Sequence, residues 1–182
     1  MNLNEFKANF NGGTRSNRFR LSGTFPSVIG FGSYPSRFDD FHVRSASLLP
    51  SALNRIEYDH FGRKTYLPGD RDYLNFTIQV YDDRPNNMSY WHSFHKWQNY
   101  INDLGENFAQ SNLPNKYKMD GLYVDHLDLN CTNVIKRQIL YGVWPKVVSP
   151  ISLDMTRRNT VNMFVVSFHL DDMSEYAEGN AI

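Results

Sequence analysis

From Leu74 to Tyr81 the chain alternates without a break. Leu74, Phe76, Ile78 and Val80 share one parity, and Asn75, Thr77, Gln79 and Tyr81 share the other. Successive side chains of an extended chain point to opposite faces, so this period predicts a strand with one face in a core. Asn162 to Leu170 repeats the pattern, with Phe164, Val166, Phe168 and Leu170 opposed to Met163, Val165, Ser167 and His169. Asn17 to Phe25 sets Phe19, Leu21 and Gly23 against Arg18, Arg20 and Ser22. Aromatic residues make up 15% of the chain, and flat side chains pack well on a pleated surface. These segments predict a β-rich protein.

Further strands are expected at Phe41 to Leu49, Leu122 to Leu129, Val134 to Val143 and Val147 to Met155. Trp144-Pro145 is read as the stop of the third of these. Asn54 to Leu67 predicts a long, charged hairpin turning near Phe61-Gly62, followed by a Pro68-Gly69-Asp70 turn. Leu3 to Phe10 could form a short helix. Pro26 to Asp40 and Gly105 to Gly121 read as irregular. The strong helix spans about residues 88–104, where Trp91, Phe94, Trp97, Ile101 and Leu104 recur at three and four residues. Asn87 or Ser89 could cap its start and Gly105 its end. Such a stripe must be buried against a sheet. The expected fold is mainly β (a β-rich α+β class), a two-sheet antiparallel sandwich or barrel with one flanking helix, in a single domain over residues 1–182.

Charge narrows the function. Nineteen basic residues balance nineteen acidic ones. A protein that grips nucleic acid by its phosphates normally carries a basic excess. Arg15, Arg18 and Arg20, and Arg63 with Lys64, are only small basic clusters. Zero net charge removes self-repulsion and permits association. The first residues lack a basic start followed by an apolar core, and no apolar run approaches the roughly 20 residues of a membrane span. The expectation is a soluble protein made in a cytoplasm.

No chemistry-bearing set stands out. Cys131 is the one cysteine and reads as a small strand residue. His92 and His95 lie three apart on the helix, but zinc helices usually space histidines by four and add further ligands. The pairs Asp39-Asp40, Asp82-Asp83 and Asp171-Asp172 sit at segment edges, where solvated charge is expected. Gly30-Phe31-Gly32 follows no strand and opens no helix, so it is not a phosphate loop. The expectation is no enzyme, no cofactor and no metal.

Four motifs in order carry a resemblance. Arg63-Lys64 leads into Pro68-Gly69-Asp70-Arg71 and the strand Asn75 to Val80. Trp97-Gln98 follows in the helix. Next comes Tyr141-Gly142-Val143-Trp144-Pro145. The last is the pair Ile151 to Met155 and Phe164 to Phe168, as closing strands. Together they resemble the tail tube proteins of contractile-tailed bacteriophages, from Arg18 nearly to the C-terminus. Gly69, Asp70, Trp97, Gly142, Trp144 and Pro145 are the structural motif positions.

The resemblance implies a structural virion protein in the phage tail, assembled in the host bacterial cytoplasm. It implies hexameric rings that form a ring-lining β-barrel and stack into the inner tube through which the genome is ejected. Implied partners are further copies of the chain, the tail sheath protein, baseplate and tail-terminator proteins, a tape measure protein in the lumen and, transiently, passing DNA. Arg55, Glu57, Asp59, Gly62, Arg63 and Lys64 would form the hairpin that lines the lumen or joins subunits. Within the class, a baseplate tube-initiator or tail-terminal ring is the alternative, and a secretion-system tube is related. From another class, the chain would be a small β-barrel module with a ligand pocket.

Overall fold

The computed structural model describes residues 2, 3, 5, 13–29, 37–38, 42–82, 90–109, 113–177 and 180–181. The expected Leu3 to Phe10 helix, Gly30-Phe31-Gly32, Asp39-Asp40 and the caps Asn87 and Ser89 lie wholly or mostly outside them. Among the described residues the strands are β1 (Phe19–Thr24), β2 (Arg37–Phe38), β3 (Val43–Ala46), β4 (Ser51–His60), β5 (Arg63–Tyr73), β6 (Phe76–Tyr81), β7 (Leu122–Leu127), β8 (Val134–Tyr141), β9 (Trp144–Val148), β10 (Met163–His169), β11 (Asp172–Ala177) and β12 (Asn180–Ala181). Helix α1 is Tyr90–Ile101 and the four-residue α2 is Pro114–Tyr117.

The strands make three antiparallel sheets. One has six strands in the order β12-β11-β8-β7-β1-β2, one has four in the order β3-β6-β10-β9, and β4-β5 stands by itself. Among the described residues neither larger sheet closes into a barrel, so the open two-sheet form of the expectation holds. Both sheets feed one core. Leu21, Leu122, Val124 and Leu140 come from the first, and Phe76, Ile78, Val80, Phe164, Val166 and Phe168 from the second. Every one of these was placed by alternation except the β7 and β8 residues. Leu74 belongs to the connection before β6 and is exposed, because the chain is still leaving β5 there.

Helix α1 buries Tyr90, Ser93, Phe94 and Trp97, while Trp91 and Ile101 are half-buried. Leu104 lies past the helix end and is exposed. The buried face is thus rotated from the Trp91-to-Leu104 stripe. Packing decides the rotation: Phe94 meets Phe25 edge-on at 5.1 Å and Phe168 at 5.8 Å, and Trp97 meets Phe25 at 5.5 Å. The Trp97 indole N–H donates to the Tyr117 carbonyl at 2.7 Å, which satisfies a group that burial would otherwise strand.

Several boundaries differ from the reading of the sequence. Pro68-Gly69-Asp70 is not a turn but part of β5. Trp144-Pro145 starts β9 rather than stopping β8; β9 is the last strand of its sheet, and an edge tolerates proline because no neighbour needs its missing N–H. Ile151 to Met155 forms no strand, while Phe164 to Phe168 lies in β10, between β6 and β9. Cys131 sits in the β7–β8 connection at φ 57°, exposed, not in a strand. Pro26 to Asp40 contains a 3-10 turn at Ser27–Ile29 and the short β2.

Candidate assembly interface

The β4–β5 hairpin is built by its turn. Phe61 and Gly62 have φ of 48° and 74° between the paired residues His60 and Arg63. Positive φ at both central residues is the two-residue turn whose twist suits a hairpin. Nothing lies within 4 Å of a Cβ built on Gly62, so glycine is favoured there by φ alone. Gly62 is the tight point, as expected.

The register then sorts the side chains. The pairs Arg55↔Pro68, Glu57↔Tyr66 and Asp59↔Lys64 share one face. Ile56↔Leu67, Tyr58↔Thr65 and His60↔Arg63 share the other. Toward the base the register slips between Leu53 and Arg55, where Gly69 and Asp70 oppose Asn54. A Cβ on Gly69 would come within 3.2 Å of the Asn54 carbonyl oxygen, so the bulge is tight. Of the expected hairpin set, Arg55, Glu57, Asp59 and Lys64 come together, and Arg63 does not. Lys64 pairs with Glu57, and the Arg55 guanidinium lies 4.6 Å from the Tyr66 ring centre.

The opposite face leaves its apolar residues unburied, beside Thr65, His60 and Arg63. Ile56 is 56% exposed, Leu67 50% and Tyr58 43%, and Phe61 at the tip is 95% exposed. Among the described residues the hairpin has no third strand. Its base is tied to the six-stranded sheet by the Tyr73 hydroxyl, which donates to Asp172 Oδ1 at 2.7 Å. By accepting that hydrogen bond, Asp172 pushes the Tyr73 pKa upward, helped by desolvation. A lone two-stranded hairpin is marginal in water, and an apolar face this open marks an interaction surface.

The other motif positions are structural. Gly142 has φ 62° at the corner between β8 and β9. Gln98 donates to the Pro145 carbonyl at 3.3 Å and Trp91 to the Ser149 carbonyl at 3.2 Å, so α1 is fastened along β9. On the outer face of the six-stranded sheet Arg20, Asp125 and Arg137 are cross-strand neighbours. Asp125 is buried and accepts from Arg137 at 2.6 and 2.8 Å and from Arg20 at 2.9 Å. Desolvation opposes its charge, but the two guanidiniums outweigh that and hold its pKa below the carboxylate range. Sequence reasoning missed this triad, since Arg20 comes from a strand about a hundred residues away and the register of β7 with β8 brings in Arg137. Basic residues at strand positions were the only signal.

Between α1 and β9 lies an open groove of about 680 Å³ lined by Trp91, His95, Gln98, Ile101 and Trp144. His95 rests 4.0 Å from the Trp91 ring, and desolvation with nearby His92 lowers its pKa. Among the described residues no three His, Cys, Asp or Glu side chains converge as metal ligands. None of the described helices is long and apolar enough to cross a membrane.

A β-rich fold with a two-stranded hairpin that leaves Ile56, Tyr58 and Leu67 in solvent presents a surface suited to joining other chains. The family model described as "Phage tail tube protein" matches residues 15–175. The chain belongs to that phage tail tube family, a component of the virion tail. It is 25% identical over 139 residues to tail tube protein gp19 of Enterobacteria phage T4, covering 76% of this chain and 83% of the relative. In fold it is similar to a chain of the anti-feeding prophage baseplate (TM-score 0.63, 14% identity, 91% and 97% covered). It is also similar to one of the PVC sheath-tube complex, an extracellular contractile injection system in its extended state (TM-score 0.59, 16% identity, 97% and 99% covered). The resemblance read from the motifs is borne out.

Proposed function

We propose that the chain, as one building unit, forms the inner tube of a contractile tail by closing into hexameric rings that stack. The observation that carries this is the unburied apolar face of the hairpin. Ile56, Tyr58 and Leu67 would meet the neighbouring subunit, because that contact removes apolar surface from water and completes a two-stranded sheet. The Arg55, Glu57, Asp59 and Lys64 face would then line the lumen. Internal pairing of Lys64 with Glu57 leaves little free positive charge to hold a phosphate backbone, which suits a conduit for genome ejection. A heterologous contact that closes within a ring, plus one that repeats along the axis, makes a tube.

Partners in this reading are other copies, the sheath outside, baseplate and terminator proteins at the ends, and a tape measure protein and then DNA within. Similar chains of solved structures come from a sheath–tube complex, a baseplate and a tube-terminating cap, which supports these partners. Assembly would take place in the host bacterial cytoplasm. The baseplate likeness favours one second reading, a tube-initiator or terminal ring.

Negative-stain electron microscopy of the purified full chain over a concentration series tests both. Long hollow tubes support the main tube, and single rings support the initiator. Monomers at every concentration, with and without baseplate seeds, would defeat the assembly reading.

A further inference from the structure

Strand register gives the molecule two different ends. Ala46↔Ile78, Phe76↔Phe168 and Trp144↔His169 mark the end of the four-stranded sheet where the hairpin is rooted. Tyr81↔Met163 and Val148↔Val166 mark the opposite end, from which the β9–β10 connection (149–162) projects. That connection encloses a pocket of about 190 Å³ with Leu153, Val161 and Met163 as its apolar wall and a polar remainder that includes Asp154, Arg157 and Asn162. Leu153 is 82% exposed, so the pocket wall stands open to solvent.

The hairpin tip offers the matching knob. Phe61 is a bulky residue at positive φ, where glycine or asparagine costs less, and its ring is almost wholly in solvent. Strain kept at a fully exposed aromatic points to a contact made elsewhere. The charges match as well. Asp59 beside the tip and Arg158 beside the pocket are both exposed, and among the described residues neither makes a salt bridge.

We propose that Phe61 of one copy seats in the Leu153–Val161–Met163 pocket of the next copy along the tube axis, with Asp59 facing Arg158. This rests on the assembly reading above and names its axial half. An apolar side chain entering a pocket at the far end of an identical molecule makes a heterologous contact, and one that joins opposite ends without closing propagates as a stack.

Two variant sets of the full chain test it. Asp59→Arg and Arg158→Asp, each alone, are expected to leave single rings and remove tubes, and the two together to restore tubes. Phe61→Cys with Leu153→Cys, in a Cys131→Ser background, is expected to give an oxidised ladder extending beyond one ring, which neither single cysteine gives. Tubes of ordinary length from both charge variants, with no ladder, overturn the contact while leaving ring assembly standing. A ladder that stops at one ring and forms in isolated rings overturns its axial placement. Absence of any ring from the unsubstituted chain overturns the assembly reading itself.

Discussion

A Cβ atom on Gly142 would stand 2.2 Å from Oδ2 of Asp171 and 2.9 Å from its Cβ. The glycine is there because the Asp171 side chain occupies the space a larger residue needs. Asp171 in turn pairs with Lys118 at 2.6 Å and donates its backbone N–H to the Tyr141 carbonyl at 3.0 Å. The corner from β8 to β9 thus fastens β11 and the α2 segment together.

Gly142→Ala should therefore strain φ and displace Asp171 at once. The left-handed conformation alone costs about 1–2 kcal/mol, and the clash adds to it. Urea unfolding should show a loss of at least about 2 kcal/mol. An unchanged midpoint would mean that the corner relaxes freely.

Asp125→Asn keeps the shape of the buried side chain and removes its charge. Two charge-assisted interactions weaken, so a loss of about 1.5–3 kcal/mol at neutral pH is expected. Because the folded pKa of Asp125 is depressed, its contribution is complete above the ordinary value of 3.8 and is lost as pH falls through the lower folded value. Unfolding measured from pH 7 to acid should thus converge for the two proteins below that window. Parallel curves down to the lowest pH would refute the linkage.

Ile56→Glu should separate assembly from folding. Ile56 is 56% exposed in the single chain, so monomer stability should change by no more than about 0.5 kcal/mol. Ring formation seen by sedimentation should be lost. Phe76→Ala, in the core, should do the reverse and cost about 3–5 kcal/mol. An Ile56→Glu protein that still forms rings would remove the apolar face from the interface.

Glu57→Lys tests the lumen face. It removes the Glu57 partner of Lys64 and adds positive charge to the face proposed to line the lumen. Tubes should form, while DNA passage slows and becomes more salt-dependent, since released phosphate counterions set that slope. Ejection kinetics equal to the unsubstituted phage would place this face away from the DNA path.

Local pattern alone determined β6, β10 and the tip of the hairpin. Phe76, Ile78, Val80, Phe164, Val166 and Phe168 are buried where alternation put them, because side-chain direction in a strand depends only on parity. The turn at Phe61-Gly62 was equally legible, since backbone freedom at one glycine is a local property. Tertiary structure decided what depends on distant partners. Phe25 and Phe168 chose which side of α1 is buried. Pairing with Asn54 drew Pro68-Gly69-Asp70 into a bulged strand against its turn propensity. Register placed Lys64 with Glu57 and turned Arg63 to the other face, and one residue of slip would have exchanged them. Asp125 gained its two arginines from strands about a hundred and a dozen residues away, which no local pattern encodes.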